Sequence, residues 1–312
     1  MTSTGSLVGW RCVVAGGAGA VGGMFARVLL DAGATVCVVD TMSSGDHVAG
    51  GPQSFAQGDI SALDGRLIAM LADAQIVILA VPQDVALAAV TGVAGAMTPG
   101  ALLLDTLSVK CPIVAALEVH AAELEVLSLN PMFAPSLGID GRPVAAVVVH
   151  DGPRGRVLLE VIEQSGGRVV ELGADEHDAL AATTQALTHA VVLAFGLALG
   201  DLDVDVGELG AVAPPPHTTL LALLARITSG APETYWDVQA ANAHAVRARG
   251  ALASGLRRLA DVVDAGDAEA FAGIIDELRG VLGDERDHYR EICAQIFERR
   301  EPDRPTRTGA TP

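Results

Sequence analysis

A glycine-rich loop and a later carboxylate are the first residues of the chain whose types and spacing suit a definite chemistry. Gly17, Gly19 and Gly22 have the G-x-G-x-x-G spacing, and Asp40 follows Gly22 by 18 residues. Glycines let the backbone approach a pyrophosphate at a helix N-terminus, and a carboxylate at this distance accepts hydrogen bonds from ribose hydroxyls. The alternative is a glycine-rich turn of another α/β protein. The expected dinucleotide-binding residues are Gly17, Gly19, Ala20, Val21, Gly22 and Asp40.

Asp40 also indicates which dinucleotide binds. A carboxylate at this position repels the 2′-phosphate of NADP. The residues that follow, 41–44, contain no arginine that would accept such a phosphate. The cofactor is therefore expected to be NAD.

Polar residues follow two later apolar segments of the chain. Ser108 and Lys110 come after the fourth predicted strand, and Asn130 comes after the fifth. Ligands bind beyond the carboxyl ends of parallel strands, so the Ser108 hydroxyl is expected to contact a nicotinamide or a substrate. The alternatives are a helix N-cap for Ser108 and a turn-forming role for Asn130. Lys110 is the only lysine in a chain of net charge −18, and we expect it to help bind an anionic substrate.

Two further polar residues lie on apolar helical segments. His189 sits in the sequence QALTHA, and a histidine in such a place is often a hydrogen-bonded core residue. Arg226 follows Leu223, Leu224 and Ala225. Burying an unpaired guanidinium is unfavourable, so Arg226 is expected to meet an anion. That anion is either an internal carboxylate or a carboxylate of the substrate.

Two kinds of segment must position these residues. Seven predicted strands alternate with helices, which is typical of a Rossmann-like, doubly wound parallel sheet with α/β architecture. No strand is expected after residue 173. Residues 174–300 are predicted to form an all-α domain that dimerises and helps to bind the substrate. The alternative is a compact helical domain that buries its own apolar faces. Residues 301–312 are expected to be a disordered tail. The predicted strands are 12–15, 35–39, 75–81, 101–104, 126–129, 144–149 and 168–171, with 41–58 as a loop and 60–72 as a helix.

Composition excludes several classes of partner. A net charge of −18 disfavours nucleic acid and anionic membranes. No apolar run looks long and uncharged enough to span a bilayer, and the first residues lack the basic region of a signal peptide. Four cysteines without metal or redox spacing indicate a reducing cytoplasm and no metal site. The acidic run 201–205 lacks the glycine and the terminal acid of a calcium loop.

Several motifs occur together in one order along the chain. They are LLLDTLSVK at 102–110, NPMFAP at 130–135, EHD at 176–178, QALTHA at 185–190, and the segment of Arg226 followed by Tyr235 and Trp236. With the glycine loop, this set resembles the prephenate dehydrogenase family, also called arogenate or cyclohexadienyl dehydrogenases. The resemblance implies a homodimer that uses NAD for an oxidative decarboxylation. It further implies that Ser108 lies near the nicotinamide and substrate, that His189 shapes the pocket, and that Arg226 binds a substrate carboxylate.

One position departs from the family pattern. The family motif begins with His, as HPMFGP, and that His accepts the proton of the 4-hydroxyl of the substrate, whereas this chain has Asn130. An amide is not a base. The chain is then a weak or inactive relative, or it uses another base such as His189, or its substrate has no 4-hydroxyl. The third interpretation is favoured, with 4-amino-4-deoxyprephenate as substrate and 4-aminophenylpyruvate as product. An ordinary prephenate or arogenate dehydrogenase and a non-catalytic NAD-binding sensor remain the alternatives.

Overall fold

The chain divides into two compact units in the computed structural model, which describes residues 6–42 and 53–298. The first unit comprises Met1–Leu187 and Ala231–Val246, and the second comprises Thr188–Gly230 and Arg247–Pro312. The tail predicted at 301–312 and part of the loop after Asp40 lie outside the described residues.

An eight-stranded sheet forms the centre of the first unit. Its order is β3-β2-β1-β4-β5-β6-β7-β8, and its first six positions match the strand order of dinucleotide-binding folds. The predicted Rossmann-like architecture is confirmed. The strands are β1 (Arg11–Ala15), β2 (Thr35–Asp40), β3 (Gln53–Gln57), β4 (Ile76–Leu79), β5 (Leu102–Asp105), β6 (Glu125–Pro131), β7 (Pro143–His150) and β8 (Arg168–Glu171).

The sheet is not wholly parallel, contrary to the prediction. Strand β7 runs antiparallel to β6, with Asn130 opposite Ala145. The connection between Pro131 and Pro143 contains only a short 3₁₀ turn at Pro135–Leu137. A parallel return requires a longer crossover, usually a helix, so this short connection enforces the reversal. Strand β8 is again parallel to β7.

Helices flank the sheet in the first unit and make up the second. The described helices are α1 (Ala20–Asp31), α2 (Gly65–Ala72), α3 (Gln83–Ala96), α4 (Cys111–His120), α5 (Pro153–Gln164), α6 (Ala174–Ala181), α7 (Leu187–Asp201), α8 (Val206–Leu209), α9 (Pro215–Thr228), α10 (Pro232–Ala240), α11 (Ala245–Asp264), α12 (Ala268–Leu282) and α13 (Arg286–Glu298). A single π-helical turn, Ala182–Ala186, joins α6 to α7.

Two local predictions for residues 41–72 were wrong. Strand β3 lies where only a loop was expected, because it is the edge strand beside β2 and its sequence, QSFAQ, shows no apolar alternation. Helix α2 begins at Gly65 and not near Ile60. The Asp64 side chain accepts a hydrogen bond from the Leu67 N–H at 2.8 Å and so fixes the N-terminus of that helix.

The core of the first unit lies on both faces of the sheet. Successive residues of β1 belong to different clusters, with Val13 in one and Val14 in the other. Side chains alternate between the faces of a strand, so a central strand with helices on both sides is apolar throughout. This double burial makes the sheet a rigid support for the loops at its carboxyl edge.

The second unit is helical, as predicted, but it buries little of its own apolar surface. Among its described residues only Val192 and Ile227 are buried. Phe271, Ile275 and Leu278 on α12 remain exposed. By length and composition alone, the helical run Ala174–Asp201 could cross a membrane, so the expectation that no segment qualifies was wrong. One such helix is weak evidence of a membrane span, because the core helix of a soluble protein meets the same criterion.

Candidate functional site

The glycine loop joins β1 to α1 with little room for side chains. Gly16 has a φ of 75°, which favours glycine. A Cβ on Gly17 would lie 2.8 Å from the methyl groups of Val38, and one on Gly22 would lie 2.3 Å from the Gly16 carbonyl oxygen. Ala20 and Val21 form the first residues of α1, so their N–H groups belong to a helix N-terminus. The loop therefore presents bare backbone and a positive helix end, as a pyrophosphate requires.

Asp40 ends β2 beside this loop. Its carboxylate accepts hydrogen bonds from the Ala18 N–H at 3.2 Å and the Met42 N–H at 3.1 Å. These contacts place a negative charge next to the glycine loop, where a ribose follows a pyrophosphate in a dinucleotide. The predicted cofactor residues thus lie together in the first unit, and the loop and the carboxylate fit a dinucleotide without a 2′-phosphate.

Ser108 follows β5, and Asn130 lies near the end of β6. The two strands are parallel neighbours in the sheet. Strand β5 pairs with β6, with Asp105 opposite Ser128. Ser108 is half-buried in the bend between β5 and α4, and the N-cap of α4 is Lys110. Asn130 lies within β6. The alternatives of a Ser108 N-cap and a turn-forming Asn130 are therefore both wrong, and both residues lie at the carboxyl edge of the sheet.

Asn130 is held by a buried histidine that sequence reasoning missed. Asn130 is 2 % exposed, and its Nδ2 lies 3.0 Å from His177 Nε2 and 3.2 Å from Met132 Sδ. His177 is itself 1 % exposed. Its presence in the EHD sequence was the available signal, but that motif alone gave no partner.

Asp178 anchors the histidine and the start of α4. Its carboxylate lies 2.9 Å from His177 Nδ1 and accepts the backbone N–H groups of Lys110 at 2.7 Å and Cys111 at 2.9 Å. Burial opposes ionisation, but the hydrogen bonds from His177, Cys111 and Lys110 outweigh it and hold the pKa of Asp178 below its ordinary value. Asp178 is thus an ionised acceptor at neutral pH.

Lys110 is fully buried in the first unit. Its side chain is 0 % exposed, and Nζ donates to Asp105 Oδ1 at 2.9 Å and to the Leu129 carbonyl oxygen at 2.7 Å. Burial lowers the pKa of Lys110, and the negative charge of Asp105 opposes that change. The burial of Lys110 gives no support to the prediction that it binds the substrate, because its ammonium ties the ends of β5 and β6 together.

His189 and Arg226 lie in the second unit. Burial and the nearby charge of Arg226 lower the pKa of His189, so its imidazole is neutral at neutral pH. Arg226 lies in the last turn of α9 and is exposed, contrary to the expectation of a buried guanidinium. Within residues 6–42 and 53–298, no carboxylate lies within ion-pair distance of Arg226. Its guanidinium can therefore bind an anion from outside the protein.

Two family descriptions match the chain. Residues 55–145 match the nucleotide-binding domain of prephenate dehydrogenase, and residues 173–277 match its dimerization domain. The 4-amino-4-deoxyprephenate dehydrogenase of Streptomyces pristinaespiralis is 53 % identical over 94 % of this chain and 98 % of its own length. The T-protein of Haemophilus influenzae is 27 % identical over 92 % of this chain and 71 % of its own length.

Solved structures share the fold. Prephenate dehydrogenase of Aquifex aeolicus, in complex with hydroxyphenyl propionate and NAD+, aligns with a TM-score of 0.72 and 20 % identity over 92 % of this chain and 99 % of its own. Arogenate dehydrogenase of Synechocystis aligns with a TM-score of 0.63 and 17 % identity over 89 % and 99 % of the two chains. With the two matched domains and the extensive identity to a full-length relative, this chain belongs to the prephenate dehydrogenase family.

Proposed function

We propose that the chain is a 4-amino-4-deoxyprephenate dehydrogenase that uses NAD and releases 4-aminophenylpyruvate and CO₂. The observation that carries the proposal is Asn130, a buried amide where the family motif has a histidine. The relative from Streptomyces pristinaespiralis, whose name states this activity, supports it through 53 % identity.

The first unit supplies the residues that would hold NAD. The backbone of Gly17, Gly19, Ala20, Val21 and Gly22 would receive the pyrophosphate, and Asp40 would accept hydrogen bonds from the adenosine ribose. When bound, NAD+ accepts a hydride at its nicotinamide ring. Ser108, half-buried after β5, is proposed to contact the nicotinamide side of the substrate.

Asn130 explains why an amine would suit this enzyme. As hydride leaves C4, positive charge develops there, and the carboxylate at C1 then leaves as CO₂ so that the ring becomes aromatic. A hydroxyl at C4 must give up its proton before its oxygen can supply electrons. An amide cannot accept that proton. A neutral amine has a lone pair ready, and Asn130 Oδ1 accepts one of its N–H groups without removing a proton. The charges balance, because a dianionic substrate and NAD+ give a monoanionic product, CO₂ and NADH.

Arg226 is proposed to bind a carboxylate of the substrate, and His189 is proposed to shape the pocket. Arg226 is exposed, with no carboxylate in ion-pair distance among the described residues, so it suits a substrate carboxylate. His189 is half-buried, and its lowered pKa keeps it neutral, which suits a residue that shapes a pocket without adding charge.

A homodimer in the cytoplasm is part of the proposal, with 1–173 as the nucleotide domain and 174–300 as the dimerisation domain. The second unit has only Val192 and Ile227 buried among its described residues, far too few for an independent core. A second copy would cover the exposed apolar side chains of α12, including Phe271 and Leu278.

The substrate is tested by following NADH formation by the full-length protein with 4-amino-4-deoxyprephenate, prephenate and arogenate. We expect the kcat/KM for the amino compound to exceed those for the hydroxy compounds about 100-fold, since the base for hydroxyl oxidation is missing. A kcat/KM for prephenate or arogenate that equals or exceeds that for the amino compound would overturn the proposal. NAD binding without turnover of any of the three would identify a sensor.

A further inference from the structure

We infer that His177 is a positioning residue that, together with Asp178, orients the Asn130 amide with Oδ1 and not Nδ2 toward the amino group of the substrate. The inference rests on the proposed function and adds to it a determinant of specificity. All the residues involved lie in the first unit.

The orientation begins at Asp178. Its carboxylate is ionised and already accepts two backbone N–H groups, from Lys110 and Cys111. An ionised carboxylate only accepts hydrogen bonds. The contact of 2.9 Å between Asp178 Oδ1 and His177 Nδ1 therefore requires the proton of the imidazole to be on Nδ1.

The imidazole passes this constraint to the amide. A neutral ring with its proton on Nδ1 has a lone pair on Nε2, which accepts a hydrogen bond. Asn130 must then direct its NH₂ group at Nε2, 3.0 Å away. The second N–H of the same group points to Met132 Sδ at 3.2 Å. A rotated amide would set Oδ1 against the Nε2 lone pair and lose both contacts.

The remaining end of the amide is a pure acceptor. Within residues 6–42 and 53–298, both side-chain contacts of Asn130 are made through Nδ2, which leaves Oδ1 for a ligand. An acceptor binds an amine through its N–H and leaves the nitrogen lone pair free to donate into C4. An Nδ2 in that place would bind the lone pair itself and oppose hydride departure. The orientation of Asn130 thus matters for kcat more than for binding.

A double-mutant cycle tests whether His177 acts through Asn130. We expect His177→Leu to lower kcat for the amino substrate about 10- to 100-fold, with an unchanged dissociation constant for NAD. In an Asn130→Ala background the same change should have no further effect on kcat. His177→Gln should restore much of the loss, because its Oε1 can accept from Nδ2. His120→Leu, at the exposed end of α4, is the matched control and should leave kcat unchanged.

If His177→Leu lowered kcat equally in the wild type and in the Asn130→Ala variant, the inference would be overturned. His177 would then serve only to stabilise the fold. A second measurement does not depend on the stability of the variants. In ¹⁵N-histidine NMR of the wild-type protein, the inference requires a neutral His177 with its proton on Nδ1, and a proton on Nε2 would overturn it. A wild type that prefers prephenate would refute the proposed function, whereas a preference for the amine without coupling would refute the inference alone.

Discussion

At the scale of the residue, the substrate preference depends on one side chain, Asn130, which cannot act as a base. Asn130 cannot take a proton, and its burial against His177 and Met132 leaves it no freedom to reorient. A substrate whose own nitrogen supplies the electrons makes such a base unnecessary. The reactive group of the substrate and the missing base of the enzyme are complementary.

Restoring the base should broaden the substrate range. We expect Asn130→His to raise kcat/KM for prephenate about 100-fold, which is a typical contribution of general base catalysis, and to lower it for the amino compound. The measurement is NADH formation with each substrate at saturating NAD. Asn130→Ala is the control, since it removes the amide without adding a base and should give no gain on prephenate. If histidine gives no more prephenate turnover than alanine does, the role assigned to position 130 is wrong.

At the scale of the element, two glycines of α1 differ in how tightly they pack against the loop that precedes this helix. A Cβ on Gly22 would lie 2.3 Å from the Gly16 carbonyl oxygen, whereas one on Gly23 would lie 3.4 Å from the Gly17 carbonyl oxygen. The first distance forces the loop to move, and the second is an ordinary contact.

These two positions give a matched pair of variants within α1. We expect Gly22→Ala to weaken NAD binding about tenfold or more, corresponding to about 1.4 kcal/mol, because the displaced loop no longer fits a pyrophosphate. Gly23→Ala makes the same chemical change one residue away and should bind NAD like the wild type. Titration calorimetry with NAD measures both. Equal affinities in the two variants would show that the loop does not contact the dinucleotide.

Elements also show what the sequence could and could not predict. The β1–α1–β2 segment was predictable because its apolar runs, glycine spacing and terminal acid all point to one structure. The reversal at β7 was missed because the apolar strand itself carries no mark of its direction, and only the short connection without a helix that precedes it indicates one. The partnership of Asn130 with His177 and the burial of Lys110 depend on contacts between residues far apart in the chain, which residue types alone do not reveal.

At the scale of the whole molecule, the exposed apolar surface of the second unit supports the proposed homodimer. Helix α12 exposes Phe271, Ile275, Leu278 and Leu282 at positions that fall on one side of the helix. Such a stripe resembles half of a core, which is typical of permanent homodimer interfaces.

One charged substitution on that stripe should separate the copies. We expect Ile275→Asp to turn a dimer into monomers of lower thermal stability, because a buried aspartate without a partner is unfavourable. Gly280→Asp adds the same charge on the other side of α12, where a Cβ meets nothing within 4 Å, and should remain dimeric. Light scattering after gel filtration gives the mass of each. If the wild type elutes as a monomer, or if Ile275→Asp remains a dimer, this side of α12 is not the dimer interface.

The burial of Lys110 has a practical consequence for anyone handling the protein. It is the only lysine in the chain, and the folded structure shields its ammonium completely. Reagents directed at lysine amines, whether fluorescent labels, surface-immobilisation chemistries or bifunctional crosslinkers, therefore find no side-chain target in the native state. Attachment to a side chain of this enzyme can instead use its carboxylates or the exposed thiol of Cys293.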